Sequence, residues 1–300
     1  MNITVRTSYR NDVSSWLRGN LHAHTLLSDG CLSPQETVDA YAARGYDFLV
    51  LSDHDMLTDV KGLDSRGMTL IPGNEITEYG PHLLHVGAKT CIPPDRDRQK
   101  VIDAIRAENG VAILNHPAWE RHFNHCPIER LESLQRYDGI EIYNGVVRRA
   151  DGNPLTTDRW DRMLSGGRHC WGYANDDCHE RSDFGVAWNV AQSMDRDPES
   201  IMAALREGRC YASTGVTITS ISVHGRHIAV ETRNADSIAV ITNWGWRAQT
   251  FEGQAATFRV PDEFAVDMTY VRFECFGRGE SMAWTQPFFI DKEETTSAAS

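Results

Sequence analysis

The sequence predicts an α/β protein in which short buried strands alternate with helices, followed by an antiparallel β region. Three observations support this prediction. Apolar runs of strand length recur between capped helices over the first two thirds of the chain. Several of these runs end in His, Asp or Glu. After Gly215 the apolar pattern changes to an alternation with a period of two. The alternation of strands and helices favours a parallel barrel or an open parallel sheet.

Six apolar segments have the length and composition of strands that are buried on both faces. They are residues 46–51, 68–71, 83–86, 111–114, 139–143 and 170–174. Capping residues mark three helices, which we expect over residues 33–44, 95–108 and 197–208. In the first helix Ser33 and Glu36 form a capping box around Pro34. Gly45 then supplies the left-handed stop that ends the helix. Gly110 has the same place after the second helix.

The C-terminal region has the alternation of half-buried strands. Its predicted strands cover residues 217–223, 227–232, 237–241, 256–260 and 270–275. The first two are separated by residues 224–226 and are expected to form a hairpin. Together the strands predict a small antiparallel sandwich. Trp244 and Trp246 fit carbohydrate binding, but tryptophans in such sheets more often pack in the core or between domains.

The change of pattern divides the chain into three predicted parts. Residues 1–215 form the α/β part, residues 216–290 a β-sandwich-like domain, and residues 291–300 a polar tail that we expect to be disordered. A length of 300 residues suits one large domain, or one of about 200 residues with a smaller partner.

Composition excludes several classes of function. A net charge of −12 argues against a broad nucleic-acid surface, although bound cations can still prepare a site for a small anionic substrate. No apolar run is long enough to span a membrane, and the first residues lack the apolar stretch of a signal peptide. Seven cysteines without paired short spacing indicate free thiols in a reducing compartment. We therefore expect a cytoplasmic protein.

A pair of histidines near the N-terminus gives the first indication of a metal site. His22 and His24 lie two residues apart, so on a strand both imidazoles point to the same face. The following turn can bring the carboxylate of Asp29 back toward them. Such a pair alone is a weak signal, because many histidines with this spacing have no functional role.

Similar residues stand at the ends of the later strands. In a parallel barrel the carboxyl ends of all strands lie on one face, so residues that are distant in sequence converge in space. The strand ends contribute His54, Glu75, His85, His116, Asp177 and His179. Independent polar residues at strand ends would explain one or two of them, but the full set favours one site.

The motifs in this order resemble those of the PHP (polymerase and histidinol phosphatase) superfamily. The matching segments are residues 21–25 (LHAHT), 28–30 (SDG), 52–55 (SDHD), 72–77 (PGNEIT), 115–117 (NHP) and 177–179 (DCH). The resemblance covers residues 18–215 and implies a distorted (β/α)7 PHP barrel with two or three divalent cations, usually Zn, Mn or Fe. Residues 204–215 and 283–287 look more specifically like the carbamate-hydrolase (CehA/McbA-like) branch, whose members carry a β-rich C-terminal part.

The resemblance also implies which residues bind the cations. It divides nine ligands among three sites, with Glu75 bridging the first two: His22, His24, Glu75 and Asp177; Glu75, His85 and His116; and Asp29, His54 and His179. Nitrogen and carboxylate ligands of this kind suit Zn²⁺ or Mn²⁺. His82 lies three residues before His85 and is an alternative to it, although His85 precedes Val86 and Gly87 as the usual ligand does.

For other polar residues near the site, the sequence gives weaker evidence of a functional role. The segment 118–125 leaves a strand end and is long enough for part of a lid, where Arg121, His122 and His125 would bind an anion or donate a proton. Arg148 and Arg149 have similar positions, but loop arginines are more often simply solvated. Asp53, Asp55 and Asp176 are expected to accept hydrogen bonds around the ligands or in turns, and Cys178 to point away from the cations.

These residues predict a metal-dependent hydrolase. Two cations that share Glu75 would lower the pKa of a bridging water and supply hydroxide, and His54, His179 or a lid histidine would give the leaving group its proton. With Arg121 as an anion contact, cleavage of an anionic phosphate ester is the leading hypothesis. Hydrolysis of a carbamate, ester or amide by the same cluster is the alternative. A binding protein that keeps its metals without turnover is a third hypothesis.

Overall fold

The computed structural model describes residues 2–261 and 267–293. Their strands, numbered in chain order, are β1 (Asn2–Arg6), β2 (Trp16–Asn20), β3 (Phe48–Leu51), β4 (Thr69–Ile76), β5 (Leu83–Val86), β6 (Val111–Leu114), β7 (Gly139–Asn144), β8 (Trp171–Asn175), β9 (Trp188–Gln192), β10 (Cys210–Ser213), β11 (Ile218–His224), β12 (His227–Thr232), β13 (Ala235–Thr242), β14 (Trp246–Glu252), β15 (Ala255–Arg259), β16 (Tyr270–Gly277), β17 (Met282–Thr285) and β18 (Phe288–Glu293). The helices are α1 (Pro34–Ala42), α2 (Arg98–Ala107), α3 (Ile128–Ser133), α4 (Thr157–Ser165) and α5 (Pro198–Arg206), with short 3-10 turns at Val146–Arg149 and Asn243–Gly245.

Strands β2 to β8 lie side by side in chain order and form the part of the sheet that carries the site. Pairing is parallel from β2 through β4 and again from β6 through β8, whereas β5 runs antiparallel to both of its neighbours. A single parallel bridge between Ala23 and Cys178 joins the two ends of this series. The prediction of a mixed α/β fold is confirmed. The sevenfold barrel stays a prediction, to which this bridge gives support.

The helix signals of the sequence agree with the structure at the first helix, and the second helix differs from the prediction in two respects. Ser33 and Glu36 form both hydrogen bonds of the capping box, and Gly45 adopts a φ of 73° after the end of α1. The second helix begins at Arg98 rather than at residue 95 and is followed by Asn109, at a φ of 64°. Asn109, and not Gly110, therefore supplies the left-handed residue, which asparagine tolerates better than most side chains.

The core of the α/β part explains why its strands are continuous apolar runs. Every residue of β3, β5 and β6 is buried, because helices or neighbouring strands cover both faces of these strands. With no face left for solvent, polar side chains are placed at the strand ends and in the segments that follow them. This arrangement brings the ends of β2, β4 and β6 to the same edge as those of β7 and β8.

The C-terminal strands extend the large sheet as well as forming a small second one. Pairing runs from β2 through β9, β10 and β17 to β16, so the C-terminal region is joined to the α/β part by hydrogen bonds. Strands β11, β12 and β15 form a separate three-stranded sheet that shares one apolar core with the extension of the large sheet. The sandwich-like character agrees with the prediction, while the boundary at residue 216 stays a prediction.

A buried ion pair fastens the C-terminal strands to helix α4. The Arg272 guanidinium places Nε and Nη2 each 2.7 Å from the two carboxylate oxygens of Asp161. The Tyr270 hydroxyl donates to the same carboxylate, and Glu274 accepts from Nη1 of Arg272 at 2.8 Å. Burial by itself lowers the pKa of Arg272, but Asp161 outweighs it and raises that pKa above its ordinary value. Removing one partner would leave the other charged and buried.

Two expectations for the C-terminal region need correction. Trp244 and Trp246 do not pack in a core, since 72% and 57% of their surfaces are exposed beside the edge strand β14. The predicted disordered tail starts too early, because residues 291–293 belong to β18 and pair with β1. Residues 294–300 lie outside the described part of the chain. In the ranges that are described, the helices fall short of the length and apolarity that crossing a membrane requires.

Candidate metal centre

The two N-terminal histidines occupy a short extended segment just beyond β2. Ala23 between them bridges to Cys178, and its N–H donates to the Ser52 hydroxyl. Because side chains alternate along an extended chain, this pairing turns His22 and His24 to the opposite side from Ala23. Both imidazoles are fully buried. The two rings therefore lie on the same face, as the sequence predicts.

His22 and His24 converge with two carboxylates. Their Nε2 atoms lie 3.1 and 3.0 Å from Asp177 Oδ1, and 3.4 and 3.5 Å from Glu75 Oε2. Glu75 comes from β4, and Asp177 follows β8 in the left-handed conformation, at a φ of 53°. A non-glycine residue in this conformation is strained, and such strain is common at functional sites. The four side chains predicted for the first cation are brought together.

The donor atoms of this group fit a divalent cation. His22 Nε2, His24 Nε2, Glu75 Oε2 and Asp177 Oδ1 are all buried and have no hydrogen-bond partner. Leaving ionised carboxylates buried without a hydrogen-bond donor is unfavourable, so native proteins pair such atoms or use them to bind metal. Two imidazole nitrogens and two carboxylate oxygens form the kind of ligand set that Zn²⁺ or Mn²⁺ prefers.

The other oxygen of Glu75 faces a second pair of histidines. Glu75 Oε1 lies 3.1 Å from His82 Nδ1 and 3.2 Å from His116 Nε2, and it accepts a hydrogen bond of 2.7 Å from Asn115. The Glu75 carboxylate therefore lies between two groups of nitrogen ligands, which is the place of a bridging ligand. His116 has a φ of 26°, so its backbone is also left-handed. Burial by itself raises the pKa of Glu75. The neighbouring imidazoles of His22, His82 and His116 outweigh this effect and hold that pKa below its ordinary value.

The predicted place of His85 beside Glu75 is wrong, and His82 stands there instead. The register pairs Glu75 with Leu84, which puts these two residues on one face of the sheet. His82 shares that face because it lies two residues from Leu84, whereas His85 points to the opposite face. There His85 Nε2 lies 3.6 Å from Glu108 Oε2, and burial lowers the pKa of His85 to about 4.

A third group of ligands lies at the mouth of the site. Asp29 Oδ1 is 3.3 Å from His54 Nε2, and Asp29 Oδ2 is 3.3 Å from His179 Nε2. The Asp29 side chain is 54% exposed, in contrast to the first group. Burial by itself lowers the pKa of His54, but the neighbouring carboxylates of Asp29 and Glu75 outweigh this effect and raise that pKa to about 10. All three residues predicted for the third cation are together.

The loop that presents Asp29 is held by Asp53. The Asp53 carboxylate accepts from the Thr25 backbone N–H at 2.8 Å and from the Ser28 hydroxyl at 2.7 Å. Gly30 follows Asp29, and a Cβ there would lie 2.4 Å from the backbone of His24. Only glycine allows the loop to fold back this closely, and this fold brings Asp29 to the histidines. Asp53 is thus a hydrogen-bond acceptor that shapes the site, as its position in the sequence predicts.

A buried glutamate in β7 completes the outer layer of the site and was not predicted from the sequence. Glu141 Oε1 lies 2.8 Å from His22 Nδ1, and Oε2 accepts from the His116 backbone N–H at 2.8 Å. Asn144 and Asn175 donate to the same carboxylate. A hydrogen bond of this kind fixes the ring orientation of a metal-binding histidine. The available signal was a glutamate inside an otherwise apolar strand, since such a residue must be paired.

A cavity of about 360 Å³ opens onto these groups. Beyond the ligands, its walls include Trp119, Val147 and Arg149. His125 packs beside His82 and His116, and burial lowers its pKa to about 2, so its imidazole is uncharged at neutral pH. The lid segment after His116 therefore reaches the site through Trp119 and His125.

Two further predictions concern side chains near the cavity. Arg121 does not reach it, because its side chain is 85% exposed and pairs with Asp151 at 3.0 Å. The preceding residue, Glu120, has a left-handed backbone with a φ of 74°. Cys178 is buried in an apolar cluster with Tyr41 and faces away from the ligands, as expected from alternation. The arginine that does line the cavity is Arg149.

Comparisons with known proteins give partial matches. No family model matches the chain. Over 72 residues it is 35% identical to a 3′,5′-nucleoside bisphosphate phosphatase of Chromobacterium violaceum, a match that covers 22% of this chain and 25% of that protein. It is 28% identical over 140 residues to a 5′-3′ exoribonuclease of Haemophilus influenzae, covering 44% of this chain and 47% of that protein. The matches thus span a quarter to about half of the length of these two relatives.

A solved structure resembles the chain over nearly its whole length. It is a two-domain protein from Bacteroides vulgatus that contains a predicted PHP-like metal-dependent phosphoesterase. The TM-score is 0.53 at 17% identity, and the match covers 98% of this chain and 91% of that chain. At this identity the likeness shows the fold alone. Because coverage is nearly complete, the likeness includes the C-terminal β region.

Proposed function

We propose that this chain, which has the fold of the PHP superfamily, is a metal-dependent phosphoesterase. The resemblance noted in the sequence holds at the level of the fold, while the carbamate-hydrolase branch stays a prediction. The observation that carries the proposal is the place of Glu75, a buried carboxylate with imidazoles on both sides. The partly matching phosphatase and exoribonuclease, both named for reactions at phosphate esters, support the same class.

The chain offers three groups of ligands for divalent cations. We assign His22, His24, Glu75 and Asp177 to the first cation, Glu75, His82 and His116 to the second, and Asp29, His54 and His179 to a third. When bound, such cations would polarise the phosphate oxygens and lower the pKa of a water molecule. Two or three cations are compatible with the ligands, and Zn, Mn and Fe all suit nitrogen and carboxylate donors.

The residues around the ligands fix their orientation. Glu141 accepts a hydrogen bond from the Nδ1–H of His22, which leaves Nε2 of that ring free to bind a metal. Asn115 donates a hydrogen bond of 2.7 Å to one oxygen of Glu75, which stabilises the carboxylate in the proposed bridging orientation. These contacts give the site a defined geometry before a substrate enters, which is the condition for electrostatic stabilisation of a transition state.

Hydrolysis also requires a proton for the leaving group. A water molecule loses a proton to solvent as its oxygen bonds to phosphorus, the bond from phosphorus to the ester oxygen breaks, and the departing alkoxide takes up a proton. His179 Nδ1 lies 2.8 Å from the backbone oxygen of Asp177, so its Nε2 is directed toward Asp29 and the cavity. We propose that His54 and His179 either bind the third cation or hold this proton at Nε2.

Arg149 takes the role that was predicted for Arg121. It lines the cavity, and its guanidinium forms two hydrogen bonds with Asp183, at 2.9 and 2.8 Å. Asp183 also accepts from the backbone N–H groups of His179 and Glu180. Arg149 is thereby held beside the third group of ligands, where we propose that it binds a phosphate oxygen.

The test is turnover by metal-reconstituted protein across phosphomonoesters, phosphodiesters, carbamates and aryl esters. We expect the highest kcat/KM with a phosphate ester, and loss of that activity in the Glu75→Gln variant. Arg149→Lys, which keeps the charge but not the paired geometry, should reduce phosphate-ester turnover, whereas the exposed Arg121→Lys should not. Faster turnover of carbamates than of any phosphate ester would instead favour the carbonyl hydrolase.

A further inference from the structure

A second and larger cavity lies next to the metal cavity. Its volume is about 750 Å³, which is within the range of pockets that bind small molecules. Val147, Arg149 and Ala150 line both cavities, so the two adjoin along the 3-10 turn and the residue that follows it. A molecule with one end at the metal ligands can therefore extend past Arg149 into the second space.

The walls of this second cavity come from both parts of the chain. Tyr143, Pro154 and Val186 belong to the α/β part, whereas Glu280 and Met282 come from the C-terminal region, at the start of β17. The ring of Tyr143, in β7, lies 5.9 Å from the ring of Trp284, which belongs to β17 like Met282. Deleting the C-terminal strands would therefore remove one wall.

The charged groups at this cavity are already paired. Arg148 lies 3.4 Å from Glu280, and Arg149 is bound by Asp183. Arg149 is assigned to the phosphate at the metal cavity, and Arg148 has an acidic partner, so the second cavity offers no excess positive charge for a second anionic group. Its remaining surface includes the aliphatic side chains Val186 and Met282 and an aromatic ring, which favour an uncharged and partly apolar ligand.

We propose that the second cavity binds the leaving group of the substrate and that the C-terminal strands thereby set substrate specificity. This inference rests on the proposed phosphoesterase function. The substrate class is a phosphate ester of a bulky, uncharged, partly apolar alcohol, aryl-sized or larger. The phosphate lies at the metal ligands, Arg149 stands at the junction, and the alcohol extends toward Met282.

The test compares two esters whose leaving phenols have similar acidity, phenyl phosphate and 4-phenylphenyl phosphate. We expect the native chain to favour the longer ester in kcat/KM by about tenfold, the effect of filling an additional apolar subsite. Met282→Trp should reduce this preference to about twofold by filling the cavity, and Val186→Phe should act in the same way from the α/β part of the lining. Met282→Leu, which conserves volume, is the matched control and should keep the preference.

Equal kcat/KM for the two esters in the native chain, or an unchanged preference in both folded cavity-filling variants, would overturn the proposal. Equilibrium dialysis with 4-phenylphenol provides a readout that does not depend on turnover. If no phosphate ester reacts but 4-phenylphenol binds about tenfold more tightly to the native chain than to Met282→Trp, the phosphoesterase function fails and the binding cavity stands. If no ester reacts and 4-phenylphenol binds both proteins equally, the cavity proposal fails as well.

Discussion

Glu141 Oε1 lies 2.8 Å from His22 Nδ1, and both side chains are completely buried. This contact directs the remaining nitrogen of His22 toward Asp177 and Glu75. Burying a carboxylate is unfavourable, so the hydrogen bonds that Glu141 accepts from His22, His116 and two asparagines are needed to keep it in place. The orientation of the proposed metal ligands thus depends on a residue outside the proposed ligand set.

Glu141→Gln should weaken metal binding without removing a ligand. The amide cannot provide the negative charge that supports the His22 Nδ1 proton, and the loss of such a contact typically lowers affinity about 10–100-fold. Chelator competition with Zn²⁺ or Mn²⁺ measures the change. Glu108→Gln is the matched control, because Glu108 lies beside His85, outside the cluster. Equal affinities in the native chain and Glu141→Gln would contradict this role.

His82→Ala should reduce both the bound metal and the activity far more than His85→Ala. His82 Nδ1 faces Glu75, whereas His85 lies on the other face of β5. We expect His82→Ala to lose about one equivalent of metal and at least about tenfold in kcat/KM. Elemental analysis and kinetics on the same preparations provide the measurement. A larger loss of metal in His85→Ala would contradict this assignment and indicate that His85 is the ligand.

Asp161→Asn should destabilise the protein by about 3–5 kcal/mol, the typical result of removing one partner from a buried ion pair. Arg272 would keep its charge while losing the carboxylate that binds two of its nitrogens. The free energy of unfolding in urea gives the size of the effect. Asp158→Asn on the same helix is the control, since the Asp158 side chain is 74% exposed and should contribute little. Similar values for the two variants would show that the pair does not fasten the C-terminal strands.

His85 should make the protein less stable in mild acid. Burial lowers its pKa to about 4, whereas in the unfolded chain the pKa is near its ordinary value of 6.5. As the pH falls from about 6.5 to 4 the unfolded chain binds the proton first, so stability decreases through this window. His85→Asn removes this group, and its unfolding free energy should fall less steeply between pH 7 and pH 4.5. Parallel slopes for the native chain and His85→Asn would contradict the assignment.

Much of the site follows from one regularity in the sequence. Apolar strands that end in His, Asp or Glu converge because the strands have no other face for polar groups, and this placed His22, Glu75 and Asp177 together. The choice between His82 and His85 could not be made from spacing, since it depends on the register of β4 and β5.

Long-range packing explains the other differences. The role of Glu141 could not be predicted from the sequence, because its hydrogen-bond partners come from three other segments of the chain. Arg121 and Arg149 both lie in segments that follow strand ends, but Arg121 is exposed and pairs with Asp151, whereas Arg149 lines the cavity. The period-two pattern after Gly215 predicted strands, but not that they extend the large sheet through β17 and β10.

The most direct test of the proposed chemistry relates turnover to bound metal. Metal-free protein is titrated with Zn²⁺ or Mn²⁺, and hydrolysis of a phosphate ester is measured against the number of equivalents bound. The shared position of Glu75 predicts that activity appears as the second equivalent binds and that Glu75→Gln abolishes this rise. Full activity with less than about one equivalent bound, in the native chain or in Glu75→Gln, would contradict a phosphoesterase built around a bridging glutamate.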